Sequence, residues 1–152
     1  VEGTNGTFTF GKNTDDSRVS FGGTSISAPS DERYKKDIET STAGLSFIND
    51  LRPVTFKWKN EGEVPSTHKA YVEDSTTTLM NTTHNHGFIA QEVKTVIDAH
   101  SEIKDGFDMW SADLDTRQRL ADGALVPILV KAIQELSAKN EALLARIITL
   151  ES

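Results

Sequence analysis

The chain is 152 residues long, 36% hydrophobic and 7% aromatic, a thin core for one modest domain that points to burial shared with partner copies. A formal net charge of −7 excludes the clustered Lys and Arg that nucleic acid or an anionic membrane surface would require, so neither is expected as a partner. With no cysteine there is no disulfide, thiolate metal site or cysteine nucleophile, and no run of about 18 apolar residues marks a membrane span.

A chain opening at Val1, without methionine or a leader pattern, is expected to be a piece of something longer. Residues 1–29 are rich in Gly, Ser, Thr and Asn, with short alternating runs at Thr7-Phe8-Thr9-Phe10 and Arg18-Val19-Ser20-Phe21. Alternation predicts short β-strands that have little core of their own and wind together with the same segments of other chains. From Ser30 the charge density rises, and Leu45, Ile48 and Leu51 predict a helix ended by Arg52-Pro53. Val54 to Trp58 alternates as a half-buried strand. The polar, Thr-rich stretch Glu61 to Asn85 reads as a long exposed excursion, either disordered or a surface hairpin. Phe88, Ile89, Val93, Val96 and Ile97 predict one apolar helix face, and Phe107, Met109 and Trp110 one further strand before a turn at Asp122-Gly123.

The clearest periodicity lies at the end. Val126, Leu129, Ile133, Leu136, Asn140, Leu143, Ile147 and Leu150 alternate spacings of three and four, a heptad seam starting at position a. Lys131, Glu135, Lys139, Glu141 and Arg146 supply polar outer faces, and Asn140 on the seam serves to fix register and chain number. Pro127 is tolerated if the helix begins near Asp122 or Gly123. A parallel coiled coil of identical chains is expected, against the plainer possibility of a helix packed on its own domain. The expected organisation is 1–29, 30–123 and 124–152, in an α+β fold.

At the first boundary the sequence reads Pro29-Ser30-Asp31-Glu32-Arg33-Tyr34-Lys35-Lys36-Asp37-Ile38. On residue types alone, Ser-Asp-Glu suits a helix or turn start, and Arg33, Lys35 and Lys36 an ordinary solvated face. The segment nevertheless resembles the start of the phage intramolecular chaperone domain, the S74 self-cleaving peptidase family, which opens roughly Ser-Asp-x-Arg-x-Lys-x-x-Ile. Ser30, Asp31, Arg33, Lys35 and Ile38 match. Further matches follow in family order: the Leu-x-x-Ile-x-x-Leu helix before Pro53, Phe56-Lys57-Trp58, His86 to Val93, and Leu129 to Leu136. Tyr34 departs from the usual aliphatic residue, and Glu61 to Asn85 looks longer than the family's loop.

The resemblance implies a chaperone at the C-terminus of a phage tail fibre or tailspike: short fibre-end β-strands, a small α/β chaperone domain and a long helix in a parallel trimeric coiled coil. It implies a homotrimer that guides folding of the preceding fibre segment of its own chains, then cuts itself off between Pro29 and Ser30. Ser30 and Lys35 take the catalytic positions, and Asp31 and Arg33 support them. The resemblance places this event in the host cytoplasm during assembly, with the parent fibre in the virion tail. A serine hydroxyl is a weak nucleophile near neutral pH, and a lysine activates it only when burial or a nearby cation, here Arg33 or Lys36, leaves the amine unprotonated.

No cofactor and no metal site is expected: His68, His84, His86 and His100 lack carboxylates at defined spacing. Phe88, Trp58 and Trp110 read as core rather than sugar-binding platforms. The rival from another class is a non-cleaving trimerisation and receptor-binding tip that stays on the fibre. The family's eukaryotic relatives, which release membrane-tethered transcription factors, fit less well beside a β-like preceding segment.

Overall fold

A computed structural model describes residues 6–12, 15–103 and 105–151 of the chain. The first five residues of the expected fibre segment and Ser152 at the end of the expected helix lie outside the described residues. The chain divides into two compact units, Val1–Thr40 and Ser41–Ser152.

The first unit is built on an antiparallel hairpin of β1 (Thr7–Lys12) and β2 (Asp15–Ser20), where the alternating runs predicted it. Phe8 and Phe10, two residues apart, share one strand face, with ring centroids 5.9 Å apart, yet both are exposed, as is Phe21 beyond β2. Among the described residues much of their apolar surface stays open. The Gly23 amide donates to the Ser20 carbonyl at 2.8 Å, closing a turn that takes Gly22 to φ +76, a conformation glycine adopts without steric cost. The chain then returns to the outer edge of β2. There Arg18 and Ser27 exchange both backbone hydrogen bonds, at 2.8 and 2.7 Å.

The second unit mixes helices with two separate strand pairs, an α+β arrangement. Helix α1 (Leu45–Asp50) leads to β3 (Val54–Phe56), which pairs antiparallel with β4 (Asn85–Gly87). Helix α2 (Ala90–Ala99) follows, then the antiparallel pair β5 (Trp110–Ala112) and β6 (Gln118–Leu120), and finally α3 (Leu125–Glu151). Phe47 of α1 is 0% exposed at the centre of the core, where Val93 and Ile97 of α2, Met109, and Leu125 and Ile128 of α3 surround it. Burying such a side chain contributes roughly 1.5–3 kcal/mol relative to leaving it in water.

Both ends of the short α1 are tied. At its start the Leu45 amide donates to Glu135 Oε2 of α3 at 2.9 Å, filling a cap that Gly44 has no side chain to supply. At its end Asp50 faces His100 at 2.8 Å.

Several elements differ from their sequence expectation. The strand at 54–58 stops at Phe56, and Trp58 is 37% exposed, packed edge-on against Phe56 rather than in the core. Phe88 and Ile89 precede α2, whose buried face is Val93 and Ile97. Met109 lies just before β5 and is fully buried, its carbonyl accepting from the Ala121 amide at 2.7 Å. The stretch after Trp58 is ordered by a capping box between Asn60 and Glu63 and by cross-bonds from Glu61 to Thr77 and from Leu79 to Lys59, closer to the hairpin alternative than to disorder.

Helix α3 has two apolar faces. Leu125, Ile128 and Ala132 are buried against the domain, while Val126, Leu129, Ile133 and Leu136, each one residue on or nearly so, are exposed. One residue is about 100° of helix, so the seam lies beside the buried stripe rather than on it. Beyond Glu135 no described residue of α3 is buried, and this part extends for about 24 Å. Pro127 stands in the first turn, where its missing amide costs nothing.

Candidate functional site

Ser27 anchors the strand edge two residues before Pro29, and Ser30 opens the tight turn that follows. Asp31 caps the single 3₁₀ turn Glu32–Tyr34: its Oδ1 accepts from the Arg33 amide at 2.9 Å. The Arg33 guanidinium folds back onto the same carboxylate through two bonds, Nε to Oδ1 at 2.9 Å and Nη2 to Oδ2 at 2.6 Å. The Tyr34 amide donates to the Asp31 carbonyl and the Lys35 amide to that of Glu32. These bonds turn the backbone so that Lys35 Nζ donates to Ser30 Oγ at 2.7 Å.

Arg33 holds the Asp31 carboxyl below the usual carboxylate range, through its guanidinium first and its amide second, and Asp31 in turn raises Arg33. The guanidinium is thus already neutralised by its own turn. Lys36 has no hydrogen-bond or ion-pair partner among the described residues; of the two neighbouring lysines it is Lys35 that meets the serine. Asp37 follows at φ +54, a left-handed position that Asp tolerates better than most residues. Ser30, Arg33, Tyr34 and Lys35 are all exposed.

The sequence-predicted residues therefore come together as one local constellation: Ser30 with Lys35, and Asp31 with Arg33, directly after Pro29. The turn start read from Ser-Asp-Glu is present, and the turn capped by Asp31 is what returns Lys35 to Ser30. The backbone pairing of Ser27 with Arg18, which fixes the approach to Pro29, had no signal in the sequence, since a single bridge has no periodicity. Of the four histidines, His100 enters the core region, and the described residues hold no cluster of three or more potential metal ligands.

Such an arrangement has the parts for acyl transfer at an adjacent carbonyl: a hydroxyl, an amine within hydrogen-bond reach, and a preceding peptide bond. Residues 30–102 match the family model for peptidase S74, the chaperone of endosialidase. The match supports an endosialidase-type chaperone domain over this part of the chain. The match begins at Ser30 itself, the residue that Lys35 contacts. No curated protein and no solved structure matches the chain significantly.

Proposed function

We propose that the chain is an intramolecular chaperone that assembles as a homotrimer, guides folding of the β-structured segment before it, and then cuts itself between Pro29 and Ser30. The 2.7 Å hydrogen bond between Lys35 Nζ and Ser30 Oγ, at the first residue of the family match, is the observation that carries the proposal.

In the productive state the bond runs the other way. Ser30 Oγ donates its proton to unprotonated Lys35 and attacks the carbonyl carbon of Pro29. The C–N bond breaks as Lys35 returns the proton to the leaving amine of Ser30, and an ester joins Pro29 to Oγ. Water, deprotonated by Lys35, then attacks the ester; Oγ leaves and regains its proton. The products are a carboxylate at Pro29 and a free amine at Ser30.

A lysine is a base only without its proton, and removal from water favours that form. Ser30 and Lys35 are exposed in the single chain, so their cover must come from assembly. Three further observations support assembly: the exposed seam on α3, the uncovered Phe8, Phe10 and Phe21, and the seam's heptad spacing. Cleavage then follows only when fibre strands and chaperone are both in place. Once the folding aid is gone, the fibre is held by its unfolding barrier. Assembly is located in the host cytoplasm, and the parent fibre in a virion tail.

The coupling is tested by Ile133→Asp and Leu136→Asp, which charge the seam without touching the buried stripe. Light scattering and intact mass should report loss of association and loss of cleavage together. Efficient cutting by a monomeric variant would separate the two and remove the assembly requirement.

A further inference from the structure

His100 follows the last residue of α2, and its side chain is 10% exposed. Its two ring nitrogens face two different carboxylates: Nδ1 lies 2.9 Å from Glu102 Oε1 and Nε2 lies 2.8 Å from Asp50 Oδ2. The ring stands edge-on to Phe47, with centroids 5.3 Å apart, and Phe107 meets the same phenyl ring from the segment before β5.

A neutral imidazole carries one N–H, so it satisfies one carboxylate and turns a lone pair on the other; only the imidazolium donates to both. The charged groups facing the ring are Asp50 from α1 and Glu102 from the turn after α2, while Phe47 contributes an apolar face. Among the described residues neither carboxylate has another cationic partner.

We infer that His100 is a proton-operated clamp: as imidazolium it ties the end of α1 to the end of α2 and keeps Phe47 seated, and loss of its proton opens that corner of the domain. Glu102 and then Asp50 raise the imidazole above its ordinary value of 6.5, against the smaller opposing effect of burial. The folded value lies above the unfolded one. The clamp's contribution is therefore complete below about pH 6.5 and is lost as pH rises through the folded value.

The test uses NMR of the full chain, following the His100 ring, identified by its contact with Phe47, as pH is raised from below about 6.5. His100, Asp50 and Phe47 all lie after Ser30, so the measurement is the same whether or not the chain cuts itself. The ring should titrate above an ordinary histidine, and α1 amides should exchange faster than the intrinsic pH dependence once it loses its proton. In Asp50→Asn/Glu102→Gln the midpoint should return towards the ordinary value, and the urea midpoint should lose its decline with rising pH. An ordinary or lower midpoint in the parent, or α1 protection that does not change through the midpoint, overturns the clamp.

Discussion

The amide of Leu45 donates to the carboxylate of Glu135, 90 residues further along the chain, at 2.9 Å. Helix α1 thus takes its N-cap from α3, and a seam-bearing helix is tied to the core by a polar bond as well as by Leu125 and Ile128.

This cap makes a non-additive prediction. A Cβ added at Gly44 would stand 2.8 Å from both Glu135 carboxylate oxygens, which can swing away, so Gly44→Ala removes the cap rather than creating a lasting clash. Gly44→Ala and Glu135→Ala should each cost about 1 kcal/mol, and the double variant about the same as either alone. Urea denaturation of the three variants checks this; additive losses would mean that the two positions act separately.

Asn140 is exposed on the free part of α3. The seam has Val or Ile at the other a positions and Leu at d, and β-branched a with Leu d suits two strands in short parallel coils. The proposed trimer would thus need the chaperone core and fibre strands to set the number, with Asn140 proposed to hold the register. Asn140→Ile should raise the thermal midpoint, with roughly 1.5–3 kcal/mol gained per side chain if fully buried, and should broaden the chain number seen by light scattering. No change in either quantity would mean that Asn140 does not face a partner.

Acid should weaken the β5–β6 hairpin. Arg119 first and Arg117 second hold the Asp113 carboxyl down to about 2 from an ordinary 3.8, each through hydrogen bonds of 2.7–2.9 Å. A depressed folded value gives stability that is present above the unfolded value and lost as pH falls through the folded one. Denaturation midpoints should therefore decline between about pH 4 and pH 2, and Asp113→Asn should remove part of that slope. An unchanged acid limb in the variant would contradict this assignment.

The legible parts of the sequence were those whose signal is local and periodic. The heptad spacing from Val126 to Leu150 and the alternation at Thr7 to Phe10 read directly as helix and strand. The second face of α3 was not legible, because Leu125, Ile128 and Ala132 sit one position before a stronger stripe, and Glu135, read as an outer polar residue, caps α1. Strands β4 and β6 are three residues each, too short for alternation to register. Trp58 looked like core because its neighbours alternate, but the strand ends two residues earlier. At the site, residue types alone favoured a plain turn; the motif order joined Ser30 to Lys35, and the Asp31 cap explains how five residues bring them together.

Cleavage at Pro29 by Ser30 and Lys35 is the step on which the proposed function rests. It is tested most directly by intact mass after expression of the full chain beside Ser30→Ala and Lys35→Ala, with light scattering to count chains. The predicted result is a parent split between Pro29 and Ser30, with both variants intact and trimeric. A parent that stays uncut while trimeric would contradict it and leave a retained trimerisation tip.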